Sequence, residues 1–79
     1  MPVKVILSST LRRYVQDYDP TKGMEVPVPK GTSLGQLVKM LGIPEKEIKI
    51  AMVNGLKVSL DTELEGEERI GLFPAVGGG

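Results

Sequence analysis

The chain has 79 residues and a mass of 8.5 kDa, the size of one small domain. Its 10 basic and 10 acidic residues cancel, which disfavours non-specific binding to nucleic acid, because that requires a basic surface. It contains no Cys and no His, which removes disulfides, thiolate nucleophiles, zinc–thiolate sites and the commonest general base. A carrier or a binding module therefore fits this composition better than a self-contained hydrolase or transferase.

With 41% hydrophobic and 25% charged residues the composition is that of a globular domain. One Phe and two Tyr are the only aromatics, so the core has to be aliphatic. No apolar run approaches the ~18 residues of a membrane span. The N-terminal apolar patch is too short for a signal peptide. A cytoplasmic protein with no membrane and no nucleic-acid partner is expected.

Val3-Lys4-Val5-Ile6-Leu7-Ser8 is β-branched and apolar on nearly both faces, which predicts an interior strand. Over 10–18 the period changes: Leu11, Tyr14, Val15 and Tyr18 fall at helical spacing, with Thr10 or Ser9 as cap, which predicts a short amphipathic helix. Residues 19–23 carry turn chemistry. Residues 24–28 read as a second strand, at an edge because Pro27 cannot donate to a ladder. From Ser33 to Leu41 the stripe Leu34, Leu37, Val38, Leu41 predicts the main helix. Ser33 and Gln36 stand at capping-box spacing, and Gly42 and Pro44 provide the stop. Residues 44–47 suit one further helical turn.

Apolar runs at 49–53 and 56–58 flank Asn54-Gly55, the pair favoured by a type I′ hairpin. Glu63, Glu65, Glu67 and Glu68 make an acidic run whose ordinary meaning is a solvated loop, the alternative being electrostatic guidance toward a basic face on a partner. Arg69-Ile70-Gly71-Leu72-Phe73 is the last strand, ended by Pro74. The order is strand, helix, strand, helix, hairpin, strand. One amphipathic helix across a small mixed sheet buries an aliphatic core of this size economically.

The tail is the informative feature. A chance Gly-Gly-Gly at a given position has odds of about one in 500 on composition alone, so Gly77-Gly78-Gly79 asks for a reason. A frayed end is the ordinary one. The functional one is chemical: a glycine end lets backbone enter a narrow channel and leaves an activated acyl carbon open to a nucleophile.

The run Asp61-Thr62-Glu63-Leu64-Glu65-Gly66-Glu67-Glu68-Arg69-Ile70-Gly71-Leu72-Phe73-Pro74-Ala75-Val76-Gly77-Gly78-Gly79 resembles the end of the ThiS/MoaD family of ubiquitin-like sulfur carriers. There an acidic glycine turn precedes a short strand, a proline and a terminal Gly-Gly. The Asn54-Gly55 hairpin and the helix opening Gly31-Thr32-Ser33-Leu34 also fit. Leu11-Arg12-Arg13-Tyr14 is similar to a Leu-Arg helix in the small subunit of molybdopterin synthase, the member this chain most resembles. The chain departs from that pattern at Gly77, where Ala is common, at Ala75, where a second Pro is common, and in the acidic turn, which is Glu-Gly-Glu-Glu in place of Asp-Gly-Asp.

The resemblance implies an α+β, β-grasp domain over 1–74 and a flexible Gly-Gly tail over 75–79. It implies that the Gly79 carboxylate is adenylated by an ATP-dependent activating enzyme. Sulfur from a persulfide donor then displaces AMP to give a thiocarboxylate, which is donated within a synthase carrying a larger subunit. The chain itself would bind no cofactor and no metal, ATP being used by the activating enzyme. Phe73, Pro74, Ala75, Val76, Gly77 and Gly78 would form the part gripped by partners. The sulfur could serve molybdopterin, thiamin or another thio-metabolite.

Two other classes use the same features. A ubiquitin-like modifier would join Gly79 to target lysines, and an interaction module would carry an incidental tail. Strand alternation puts Phe73 opposite Ile70 and Leu72, either as a partner anchor or as cover for a sheet edge. The four methionines are expected to fill the core, and Arg12-Arg13 with Lys4 to form either a solvated face or a small basic patch.

Overall fold

The computed structural model describes residues 2–75. Five strands form one mixed sheet in the order β2-β1-β5-β3-β4, with β1 at Val3–Leu7, β2 at Met24–Val26, β3 at Ile48–Val53, β4 at Leu56–Val58 and β5 at Arg69–Pro74. The helix α1, Leu34–Met40, packs on one face of it. Two 3-10 helices complete the described elements, the first at Ser9–Tyr14 and the second at Glu45–Glu47. This is the β-grasp arrangement that the resemblance implies.

Strand alternation decides which side of the sheet is the core. On β1, Val3, Val5 and Leu7 are buried; on β5, Ile70 and Leu72 are; on β3, Ala51 is. These inner residues meet Leu34, Leu37 and Val38 of α1, with Leu11, Ile43 and Leu64 closing the ends, so the core is wholly aliphatic. The β5 strand runs parallel to β1, pairing Val5 with Ile70 and Leu7 with Leu72. It runs antiparallel to β3, pairing Leu72 with Ala51 and Phe73 with Ile50. It is therefore the middle strand, enclosed on both edges.

Local chemistry explains most of the boundaries. Ser33 Oγ accepts the Gln36 N–H at 3.1 Å and Gln36 Oε1 accepts the Ser33 N–H at 2.9 Å, so the capping box forms as expected. Asn54 and Gly55 have φ of 51° and 83°, the positive values that a type I′ turn demands. The strand at 24–28 lies at an edge and ends at Val26, which pairs with Val3, the first residue of β1; by alternation the Pro27 nitrogen faces the open edge, where no N–H is needed.

The predicted helix at 10–18 is shorter and of another kind. The 3-10 turn stops at Tyr14, its N-cap is Ser8 without a side-chain capping bond, and Asp17 adopts a left-handed φ of 61°. The reason lies in β1. Ser8 N–H donates to Leu72 O, which turns Leu7 toward β2, but β2 pairs no further than Val5. Tyr18 Oη accepts the Leu7 N–H at 2.7 Å, and Arg12 Nε donates to Leu7 O at 3.1 Å. Two side chains thus replace the missing β2 residues, and a regular helix through 18 does not form. Gly23 leads into β2 at φ +74°, where an added Cβ would lie 2.8 Å from Val5 O.

Of the four methionines expected in the core, Met24 packs against it, Met52 is half-buried on the opposite face, Met40 is 61% exposed and Met1 lies outside the described residues. Met40 sits on the outer side of a helix of only 7 residues, whose single buried stripe is already filled by leucines and Val38.

Candidate functional site

The β5 strand is the last element of the described residues, and its alternation divides it cleanly. Ile70, Leu72 and Pro74 are buried on the inner side, while Gly71 and Phe73 are half-buried on the outer side. Phe73 thus lies where sequence alternation puts it. Its ring folds back along its own strand: a Cβ built on Gly71 would lie 3.2 Å from Phe73 Cε1. The glycine makes room for the ring, and the ring shields the bare backbone of the glycine.

Around this pair the outer face is shallowly concave. A depression of ≈ 280 Å³ is lined by Ile6, Ser8, Met52, Gly55, Arg69, Gly71 and Phe73. Register puts Ile50 beside Phe73 and Met52 beside Gly71. Next along the ladders come Lys57, paired with Met52, and Lys4, paired with Arg69 on one side and Glu25 on the other. The outer face is therefore an apolar centre with three basic side chains and one acidic one around it. On a chain with no net charge this is a marked local excess. Lys4 belongs to this basic patch. Arg12 is instead turned to Leu7 O, and Arg13 to Tyr14 and Glu47.

The start of β5 rests on a residue that the acidic-loop reading misplaced. Glu68 is 9% exposed. Its carboxylate accepts N–H bonds from Glu65 at 2.6 Å, Gly66 at 2.9 Å and Glu67 at 3.0 Å. Burial opposes its ionisation, but the backbone N–H groups together outweigh that, so its pKa lies below the ordinary glutamate value. Glu63, Glu65 and Glu67 are exposed as expected. Glu68 differs because it shares parity with Ile70 and Leu72, which aims it inward; that parity was readable in the sequence. Asn54 adds a second fastening, accepting the Arg69 N–H through Oδ1 at 3.0 Å and donating its own N–H to Arg69 O at 2.8 Å.

Of the residues expected in the tail site, Phe73 and Pro74 belong to β5 and Ala75 is exposed beyond it. Val76, Gly77, Gly78 and Gly79 lie outside the described residues. A larger depression of ≈ 540 Å³, lined by Pro29, Thr32, Gln36, Lys39 and Met40, lies along the outer side of α1 and shares no lining residue with the outer sheet face. No helix of the described residues is long and apolar enough to cross a membrane.

Comparison with known proteins agrees with the geometry. No curated protein matches the sequence. Among solved structures, SAMP1 from Haloferax volcanii superposes with a TM-score of 0.72 over 100% of both chains at 16% identity, a likeness of fold. A Pyrococcus furiosus protein assigned as subunit 1 of a molybdopterin converting factor superposes with a TM-score of 0.69, at 26% identity, over 96% of this chain and 99% of that one. Residues 1–77 match the family described as Mut7-C ubiquitin. With its β-grasp sheet and helix, the chain belongs to the Mut7-C ubiquitin family.

Proposed function

We propose that this protein is a ubiquitin-like sulfur carrier whose reactive group is the carboxylate of Gly79, with molybdopterin synthesis as the destination of the sulfur. The observation that carries the reading is the path of β5. The middle strand of the β-grasp sheet ends at Pro74, Ala75 beyond it is exposed, and the sequence continues Val76-Gly77-Gly78-Gly79. The likeness to a molybdopterin converting factor subunit supports the destination.

The chemistry belongs to partners. The Gly79 carboxylate attacks the α-phosphate of ATP in an activating enzyme and pyrophosphate leaves. The terminal sulfur of a persulfide attacks the acyl carbon and AMP leaves with the bonding pair. The resulting acyl disulfide is cleaved by a thiol, which takes up the donor's sulfur as a new disulfide and frees the thiocarboxylate. A large synthase subunit then receives that sulfur. This chain contributes a glycine end that fits a narrow passage and an outer sheet face that docks the activating enzyme. The basic side chains Lys4, Lys57 and Arg69 around Phe73 call for an acidic rim about an apolar centre on that enzyme.

The test is intact mass of the protein after incubation with a cognate activating enzyme, ATP and a persulfide donor. A thiol-selective alkylating tag is needed, because one sulfur for one oxygen adds about 16 mass units and so does oxidation of a methionine. The expected result is a tagged C-terminal peptide ending in Gly79 that a Gly78–Gly79 deletion abolishes, with the melting temperature of the deletion unchanged. Covalent ladders on other proteins in place of a tagged terminus would make the chain a modifier. Neither product, with an enzyme competent on another carrier, would refute both.

A further inference from the structure

The sheet order brings two short helices to opposite sides of the same strand. Since β1 runs parallel to β5 and β3 antiparallel to it, the end of β1, the start of β3 and the exit of β5 share one end of the sheet. The first 3-10 helix follows β1 after Ser8, and the second leads directly into β3. The β5 strand lies between β1 and β3. A link between the two helices therefore runs past the end of β5.

One such link exists. Arg13 Nη2 lies 3.4 Å from Glu47 Oε1 and hydrogen-bonds to it. The guanidinium is held at its own end as well, with Nη2 donating to Tyr14 Oη at 3.2 Å and its carbon 5.2 Å from the centre of the Tyr14 ring. Tyr14 in turn packs against the core. At the same place Pro74 is buried opposite Ile48, and the next residue, Ala75, is exposed. The side chains of Arg13 and Glu47 are 63% and 33% exposed, and a pair so solvated adds little to global stability. Holding the fold together is thus a poor account of it. Its position beside the end of β5 is a better one.

We propose that Arg13, Tyr14 and Glu47 form a clasp over the exit of β5 that fixes the heading of the chain at Pro74–Ala75. They are positioning residues for reactions at Gly79, a role that rests on the carrier reading. An enzyme that must thread a chain end into a channel loses less orientational freedom when that end leaves its domain in one direction. The clasp acts through binding, not through the chemical step.

The experiment compares wild type with Arg13→Glu, Glu47→Arg and the doubly swapped protein. Steady-state pyrophosphate release by the activating enzyme reads function, and the ¹⁵N order parameter of the Ala75 amide reads the heading without any enzyme. Each single reversal should raise KM for the carrier about fivefold with kcat unchanged, lower the Ala75 order parameter, and move the melting temperature by no more than about 3 °C. The double swap restores the ion pair but not the two Tyr14 contacts, so it should recover part of both readouts. An unchanged Ala75 order parameter in the single variants would overturn the clasp. So would a KM defect that the double swap leaves in place, which would assign these side chains to direct contact with the enzyme. If wild type supports no pyrophosphate release with a competent enzyme, the carrier reading fails, while the Ala75 signal still decides the clasp.

Discussion

The two ends of β5 are held by different kinds of force. At its start, one buried carboxylate gathers three backbone N–H groups, Glu68 O accepts the Lys4 N–H at 2.9 Å, and Asn54 clips Arg69 through two bonds. At its exit, besides the ladder to β1 and β3, the fastenings are the burial of Pro74 and a solvated ion pair reached by a long arginine. Polar groups in a dry site are costly to leave unpaired, so the start is bound to one geometry. Apolar burial and a surface pair tolerate small shifts, so the exit can be altered without unfolding the sheet.

The comparison can be broken most forcefully at the start. Glu68→Ala leaves three N–H groups without an acceptor and should cost roughly 3 kcal/mol, lowering the melting temperature by more than about 10 °C. A loss under about 1 kcal/mol in urea titration would show that water replaces the carboxylate freely. Acid should act on the same bonds. Because the folded carboxyl sits below the ordinary glutamate value, its contribution is complete above that value and disappears as pH falls through the folded one. Wild type should therefore lose its stability advantage over Glu68→Gln below about pH 4. A difference that stays constant down to pH 2 would contradict this assignment.

Asn54→Ala is the next largest. It removes the bond to the Arg69 N–H and places Ala at a φ of 51°, for a cost of roughly 1–2 kcal/mol by thermal melting. Gly71→Ala should act least on stability, by less than about 1 kcal/mol, because the atom it meets is the tip of the Phe73 ring and not backbone. Its mark should be a displaced Phe73 ring, read from the aromatic proton shifts. A melting-temperature drop as large as that of Asn54→Ala would mean the ring is fixed in place, and the outer face with it.

Much of this was legible because it depends on near neighbours. The capping box joins Ser33 to Gln36, three residues apart, and the hairpin depends on two adjacent residues with positive φ. The inner and outer faces of β5 follow from alternation alone, which is how Phe73 was put on the outer side. Glu68 obeys the same rule, although its acidic neighbours Glu65 and Glu67 are exposed. The helix at 10–18 was misread for a different reason. Its periodicity was correct as far as Leu11 being buried and Tyr14, Val15 and Tyr18 packing on the core, but the backbone was bent to serve Leu7.

What the sequence determined by itself were the choices settled within a turn or a strand: where α1 starts, where the hairpin reverses, which residues face the aliphatic core, and that a glycine run follows a proline-ended strand. What only the tertiary structure decided were the contacts whose partners share no local geometry. Tyr18 reaches the Leu7 N–H because β2 is too short to do so. Arg13 meets Glu47, 34 residues away, because β5 inserts between β1 and β3 and brings their adjoining helices to its exit. Hydrogen-bonding need and side-chain length are properties of a residue, but the group left unpaired beside it is a property of the sheet order.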